Sequence, residues 1–562
     1  MKFGTALQVP RVPWPWAVLA ALVLAAIVAA LTTTLARRHG NVPPETRAMV
    51  LRRGNGAEPE SLDPHRARSE AALTILRDLY EGLTEIGPDG APVLAAADQC
   101  AVSADGISYR FHLRKLARWS NGEPLVAEDF AAAWRRLVDP RTGAQYAQLL
   151  APVQGAEAIT AGLAAASTLG VQAVDPTTLL VKLTHPTPYF LAILAHPATF
   201  PINRTVLAQH ASGFSKPGVM VSNGAFVLTR WDFGSHLVAA RNHRYWNDAA
   251  THVDGVEYYS ITEPEAELRA FRSGAVDVTS TIPGAQFAWI KQHLGQELHI
   301  APQLGVYYLG LNLRRAPFAG SPQLRRALSL VIDRERLVQA VTGTGESAAY
   351  TFVPPQTLNY SPPLPEYASW PMPRRIARAR ELLAEARMLQ SPPAIELRYN
   401  SSELHGRIAI AVAEMWKQAL GIDTALHAEE FKVLLQDIDR GDVTQVFRAS
   451  WLADYNDAYS FLQVLQSGFG INLPRYANAD YDALLARAAA EVDAGRRRAL
   501  LENAEQIMIA DQPLIPLYFY VAKHLVSARV QGWRDNAMNV VYSKRLVKDS
   551  SNRATPGDAR YR

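Results

Sequence analysis

Asp454 is a solitary carboxylate in an apolar and aromatic run, Trp451, Leu452, Ala453, Asp454, Tyr455 and Asn456, with Arg448 just upstream. An acid in such surroundings either meets a cation or has its pKa driven upward, because an unpaired buried charge is costly. A carboxylate held among aromatic groups suits the cationic amine of a ligand, which makes Asp454 a binding-site candidate. A competing reading is that Asp454 or Asp457 caps the helix suggested by Tyr459, Ser460, Phe461, Leu462 and Leu465. Asp side chains accept hydrogen bonds from the free amides of a first helical turn. Spacing alone leaves both readings open.

Signatures of catalysis and of metal binding are missing. Neither Gly54 with Gly56 nor Gly343 with Gly345 completes a phosphate-cradling loop. His427 is followed by Glu429 and Glu430 without the second His that a helical zinc site needs, and His196, His210, His236 and His243 are scattered singly. The Gly-x-Ser-x-Gly nucleophile elbow does not occur. Binding without chemistry is the expectation: no catalytic residue, no metal and no cofactor. The one cysteine, Cys100, permits neither an intramolecular disulfide nor a cysteine metal cluster and reads as a buried apolar filler. Net charge is +4, but the 57 basic and 53 acidic residues are interspersed, so there is no basic face for nucleic acid.

Elements that would position Asp454 follow from periodicity. Met49 to Arg52 starts a strand, and a helix pattern runs from about Ala71 to Leu83. Tyr109, Phe111 and Leu113 alternate as a half-buried strand, Asn121-Gly122 marks a turn, and a helix spans about Ala127 to Leu137. Ile395, Leu397 and Tyr399 alternate likewise before a helix from Ile408 to Leu420 that Gly421 can terminate. Apolar stripes predict helices over Leu324 to Val341 and after Pro373, and residues 354 to 373 make a proline-rich cover. The repeating strand, turn and helix grammar indicates α/β lobes, and 562 residues are too many for one core.

At the amino terminus an uncharged run from Val12 to Leu35 is flanked by Lys2 and Arg11 on one side and Arg37 and Arg38 on the other. It exceeds the usual signal-peptide core and is long enough to span a bilayer, which takes about 20 residues. Residues 1–44 are read as a signal peptide or membrane anchor with its linker; export follows either way. No cysteine ends the run, so a lipid anchor is excluded.

Six segments together resemble the peptide and nickel binding family of ABC-transporter solute receptors, family 5, and within it the oligopeptide-binding members. They are Ser61 to His65 (SLDPH), Arg77 to Leu83 (RDLYEGL), Tyr109 to Phe130, Ser222 to Phe226 (SNGAF), Leu324 to Glu335 and Trp451 to Asn456 (WLADYN). The resemblance implies a periplasmic binding protein-like α/β fold of type II, cluster C, with two hinged lobes plus a smaller domain. Carried over, domain I is 45–80, 205–303 and 521–545, domain II is 81–204, domain III is 304–520, and 546–562 is a flexible tail.

The same resemblance implies a monomeric periplasmic receptor that captures short peptides for an ABC permease of the inner membrane, with the amino-terminal segment as a possible membrane tether. Asp454 would bind the peptide's amino terminus. Arg448 would lie near that carboxylate or serve a ligand carboxylate, Asn400 and His405 would line the cleft, and Tyr308, Trp451 and Tyr520 would form aromatic walls. Some relatives carry a disulfide where this chain has Gly305 and Leu452, and one has an acid where it has Gly310. Arg440 approaches another ligand-carboxylate arginine only after a one-residue gap and is not included. Rival roles are a membrane-tethered murein-peptide sensor or scavenger and, with no motif behind it, an envelope hydrolase.

Overall fold

The computed structural model describes residues 49–441 and 445–549. The apolar amino-terminal run and residues 550–562 of the expected tail lie outside the described residues. Among the described residues no helix is long and apolar enough to cross a membrane.

Three sheets organise the chain. In the first, β1 (Val50–Gly54) pairs in parallel with β10 (Gly255–Tyr259), which continues antiparallel to β9 (His236–Arg241) and β8 (Phe226–Asp232). The second is an antiparallel sheet in the order β4 (Ala97–Val102), β5 (Ser108–Leu113), β7 (Thr178–Lys182) and β6 (Val171–Asp175). The third has the order β12 (Ser347–Ala348), β16 (Leu514–Leu525), β11 (Leu298–Leu311), β15 (Val446–Leu452), β13 (Ile395–Asn400) and β14 (Thr424–Glu429). Its β11 runs antiparallel to both β15 and β16, whereas β13 is parallel to its neighbours β14 and β15. Among the described residues two small pairs complete the strands, β2 (Thr84–Ile86) with β3 (Pro92–Leu94) and β17 (Val530–Gln531) with β18 (Val547–Lys548).

Local chemistry explains the helices that frame these sheets. Helix Glu70–Leu79 starts at Ser69, whose hydroxyl accepts from the Ala72 amide at 3.2 Å. It ends before the Leu83 that periodicity suggested, because Tyr80 is already extended. Helix Ala127–Val138 is fixed at its start by Asp129, whose carboxylate accepts from the Val126 amide and the Trp119 indole, both at 3.0 Å. Helix Glu403–Leu420 starts five residues earlier than the apolar stripe indicated and stops at Gly421, which adopts the left-handed cap with φ of 72°.

Three expectations are corrected. The stripe from Leu324 to Val341 is not one helix: an α-helix over Pro322–Leu330 ends at Val331, and a new turn opens where the Asp333 carboxylate accepts from the Arg336 amide at 3.0 Å. A competing cap therefore outweighs continuous apolar periodicity. The expected tail also begins too early. Leu546 is fully buried, β18 pairs with β17, and Lys548 donates to the Val50 carbonyl and to Asp277. Cys100, on the edge strand β4, is half-buried and not a fully buried filler.

The long β11 and β16 link regions of the fold. At one end Val278 bridges both Arg53 and Val526, beside the first sheet; at the other the pair forms the middle of the third sheet. Their register breaks between Pro302 and Val306. A bulge of this kind bends a paired ribbon.

Candidate ligand-binding site

Asp454 lies just beyond β15, in a turn secured by the Ala453 amide on the Leu304 carbonyl at 2.9 Å and by the Asp454 amide on the Ser460 hydroxyl at 3.2 Å. Its carboxylate has no hydrogen-bond or ion-pair partner among the described residues. It faces a cavity of about 200 Å³ whose wall includes Trp451, Tyr189, Phe469, Gln148 and Gln466. Burial alone pushes its pKa from 3.8 up to about 7.

Asp457, one residue before the Ala458 N-cap, makes the side-chain contacts at the helix start. Its carboxylate accepts from the Tyr459 amide at 2.8 Å and receives two 2.8 Å hydrogen bonds from Arg497. The side-chain contacts at this helix start thus fall to Asp457 and not to Asp454. Asp457 is spent on structure, and Asp454 is left facing the cavity.

Arg448 is not beside Asp454. Alternation along β15 sends Arg448 and Trp451 to opposite faces, Arg448 opposite Leu309 and Trp451 opposite Val306. Arg448 donates to Asn400 Oδ1 at 3.3 Å and to the Tyr520 hydroxyl at 3.2 Å, and sits 4.8 Å from the centre of the Tyr307 ring. His405, in the first turn of its helix, lies 3.4 Å from the Tyr307 hydroxyl through Nδ1. Burial, and then the Arg448 charge, lower the pKa of His405 to about 4, so it is neutral at physiological pH. Arg448 is therefore the cation of this cluster, and its Nε is buried without a partner.

The predicted site residues thus fall into two groups. Asp454 and Trp451 line one cavity, while Arg448, Asn400, His405 and Tyr520 gather on the opposite face of β15. Tyr308 joins neither group. It is 1% exposed, with its ring edge-on to Phe352 at 5.4 Å, because it alternates away from Arg448; Tyr307 takes the position beneath the guanidinium. Arg440 pairs with Asp437 at the end of its helix. Among the described residues no group of three or more His, Cys, Asp or Glu is placed to hold a metal ion.

Residues missed in the sequence include Tyr189, Gln148, Gln466 and Tyr146. Burial, followed by the charges of Asp454 and Glu70, pushes the Tyr146 hydroxyl up to about 12, and its ring lies 4.4 Å from that of His196. Tyr146 precedes a short 3-10 turn, Ala147–Leu150, a segment with no periodicity to expose it.

The departures from relatives also have a local explanation. Gly305 pairs with Leu452 across the β11–β15 ladder, and a side chain at Gly305 would collide with Leu452 and approach Tyr520 Cδ2 to 3.0 Å. At Gly310 the Phe447 ring occupies the space a side chain would need. Leucine and phenylalanine fill what the two glycines leave open.

Residues 91–472 match the model of bacterial extracellular solute-binding proteins, family 5 middle. The chain belongs to this family. The family 5 chain is 35% identical to the periplasmic oligopeptide-binding protein OppA of Escherichia coli over 519 residues, 91% of this chain and 95% of that protein. It is 38% identical to the probable deoxycholate-binding periplasmic protein YgiS of Escherichia coli, over 88% of this chain and 93% of that one. The solved structure of the Escherichia coli murein tripeptide binding protein MppA superposes with a TM-score of 0.80 at 34% identity, covering 90% and 99% of the two chains. These likenesses give the family 5 chain the type II periplasmic binding protein-like fold.

Proposed function

We propose that this family 5 protein captures short peptides in the periplasm by closing its lobes and delivers them to an ABC permease. The observation that carries this reading is the carboxylate of Asp454, set in an aromatic-walled cavity with no protein partner while Asp457 does the structural work of the same turn. A protonated amine supplies the charge that site lacks. Arg448, the cation of the separate cluster with Asn400, His405 and Tyr520, is the group assigned to a ligand carboxylate. The names of relatives as oligopeptide and murein tripeptide binders agree with a ligand carrying both ends.

The lobes are domain I (45–80, 205–303 and 521–545), domain II (81–204) and domain III (304–520). The register break at Pro302–Val306 falls at the expected boundary between I and III and supports a hinge there. Closure is a population shift, driven only by the ligand's greater affinity for the closed state. The amino-terminal run is assigned to export, either as a removable signal or as a tether to the inner membrane.

An anionic steroid such as the ligand named for one relative would leave Asp454 unpaired and add a like charge. Calorimetry with trialanine, N-acetyl-trialanine and deoxycholate tests the proposal. Binding of trialanine, weakened roughly 30-fold or more by Asp454→Ala or by acetylation, is the expected result. Equal affinities for the free and acetylated peptides would reject the role given to Asp454.

A further inference from the structure

The turn that presents Asp454 also contacts the β2–β3 turn and the segment that follows β7. Tyr455, next in sequence, stacks on Tyr189 at 5.1 Å with only 4° between the rings, and Tyr459 stacks on the same ring at 5.1 Å and 21°. Tyr189 follows β7 in the stretch proposed as domain II, whereas Tyr455 and Tyr459 follow β15 in domain III. Asn456 donates to the Gly90 carbonyl at 3.3 Å and accepts from the Leu358 amide at 3.0 Å. Arg497, locked to Asp457, lies 5.2 Å from the centre of the Tyr189 ring. Nearby, Gly106 approaches Val492 so closely that a Cβ there would lie 3.2 Å from Val492 Cγ1.

Successive residues of one short turn therefore have divided duties. Asp454 is left for cargo, Asp457 fixes the turn to its own helix, and Tyr455, Asn456 and Tyr459 reach across to Gly90 and Tyr189. Tyr189, Tyr455 and Tyr459 also line the cavity that Asp454 faces, so cargo and cross-contact share one wall. Stacked aromatic pairs contribute beyond the area they bury, and this pair of stacks joins a segment of the proposed domain II to two residues of the proposed domain III.

We infer that Tyr189 is a positioning residue for ligand capture: its ring, seated on Tyr455 and Tyr459, is the latch that couples occupation of Asp454 to closure of domain II on domain III. This rests on the peptide reading given above. A latch acts on the closed state whatever amine chemistry the ligand has, because apparent affinity scales with the population of the competent state. Its loss speeds release of every ligand equally, whereas loss of Asp454 selectively harms ligands with a free amine.

The experiment measures stopped-flow dissociation and calorimetric affinity of trialanine and N-acetyl-trialanine for the full-length wild type, Tyr189→Phe, Tyr189→Leu and Tyr189→Ala. Tyr189→Leu and Tyr189→Ala should release both peptides about 10-fold faster, with the ratio of their affinities unchanged, and Tyr189→Phe should behave as wild type. If Tyr189→Ala does not fold, Tyr189→Leu, which fills the site without an aromatic face, decides the matter. Unchanged dissociation in a folded leucine or alanine variant, or a changed affinity ratio, would overturn the latch. Equal wild-type affinities for the two peptides would refute only the amine role of Asp454. A wild type that binds neither peptide would refute the peptide reading and the latch with it.

Discussion

The carboxylate of Asp457 accepts two hydrogen bonds of 2.8 Å from the guanidinium of Arg497, three residues after an acid that has no such partner. Removing one member of a buried pair leaves the other charge uncompensated. Asp457→Ala is therefore expected to destabilise the fold by about 2–4 kcal/mol. Asp454→Asn should stabilise the fold at pH 8, because it removes a group whose ionised form the fold penalises. Urea unfolding at pH 8 measures both, and a larger loss for Asp454→Asn would contradict the division of roles.

Proton linkage gives a second test. Asp454, with its pKa raised to about 7, holds its proton in the free protein through the range where an ordinary carboxyl has already lost it. The bound state requires the carboxylate. Affinity for a free-amine peptide should rise by up to tenfold per pH unit from about pH 5 to about 7, then fall above about 8 as the peptide's own amine deprotonates. Calorimetry in buffers of different ionisation enthalpy should detect proton release on binding near pH 6, and Asp454→Asn should abolish it. For stability the sign runs the other way. The penalty that Asp454 imposes on the fold is absent below about pH 4, grows between about 4 and 7 and is complete above that, so the gain from Asp454→Asn should appear only as the pH rises.

Arg448 is expected to serve a ligand carboxylate. Hydrogen bonds to charged groups contribute about 1.5–3 kcal/mol, so Arg448→Met should weaken a free-acid tripeptide by roughly 10-fold or more. The same tripeptide with an amidated carboxyl end should lose little. Because His405 is neutral at physiological pH, His405→Gln should be the milder change. Equal losses for acid and amide would show that Arg448 only supports the wall.

How much of this was legible in the sequence depends on which physical signal carried each residue. Period-two alternation gave β5 and β13, and the glycine stop at Gly421 closed its helix as expected. Apolar periodicity failed at Val331, where Asp333 offers a competing cap that a stripe of Leu and Val does not reveal. The choice of Tyr308 over Tyr307 was recoverable: the correspondence of Gly305 with Leu452 already fixes an antiparallel register in which Leu309 opposes Arg448, and two-residue alternation then puts Tyr307 on that face. Tyr146 and Tyr189 were not recoverable, since each stands beside irregular turns and gains its meaning from a partner more than 200 residues away.

The glycine at 305 supports a cross-linking test. Gly305→Cys alone should destabilise the protein, because Leu452 occupies the room its side chain needs. Gly305→Cys with Leu452→Cys removes that collision at a directly paired position of the ladder. The oxidised double variant is expected to be about 2–4 kcal/mol more stable than its reduced form. Thiol titration and unfolding with and without reductant would check it; free thiols under oxidising conditions would contradict the register.

One turn keeps scaffold and selectivity on separate residues. The acid bound to Arg497 holds the turn in place; the acid three positions earlier is the one proposed above to meet the ligand. A receptor arranged in this way can exchange its preference for charged front ends by one substitution while its architecture stays untouched, so duplicated copies of such a chain are free to diverge in diet without first passing through an unfolded ancestor.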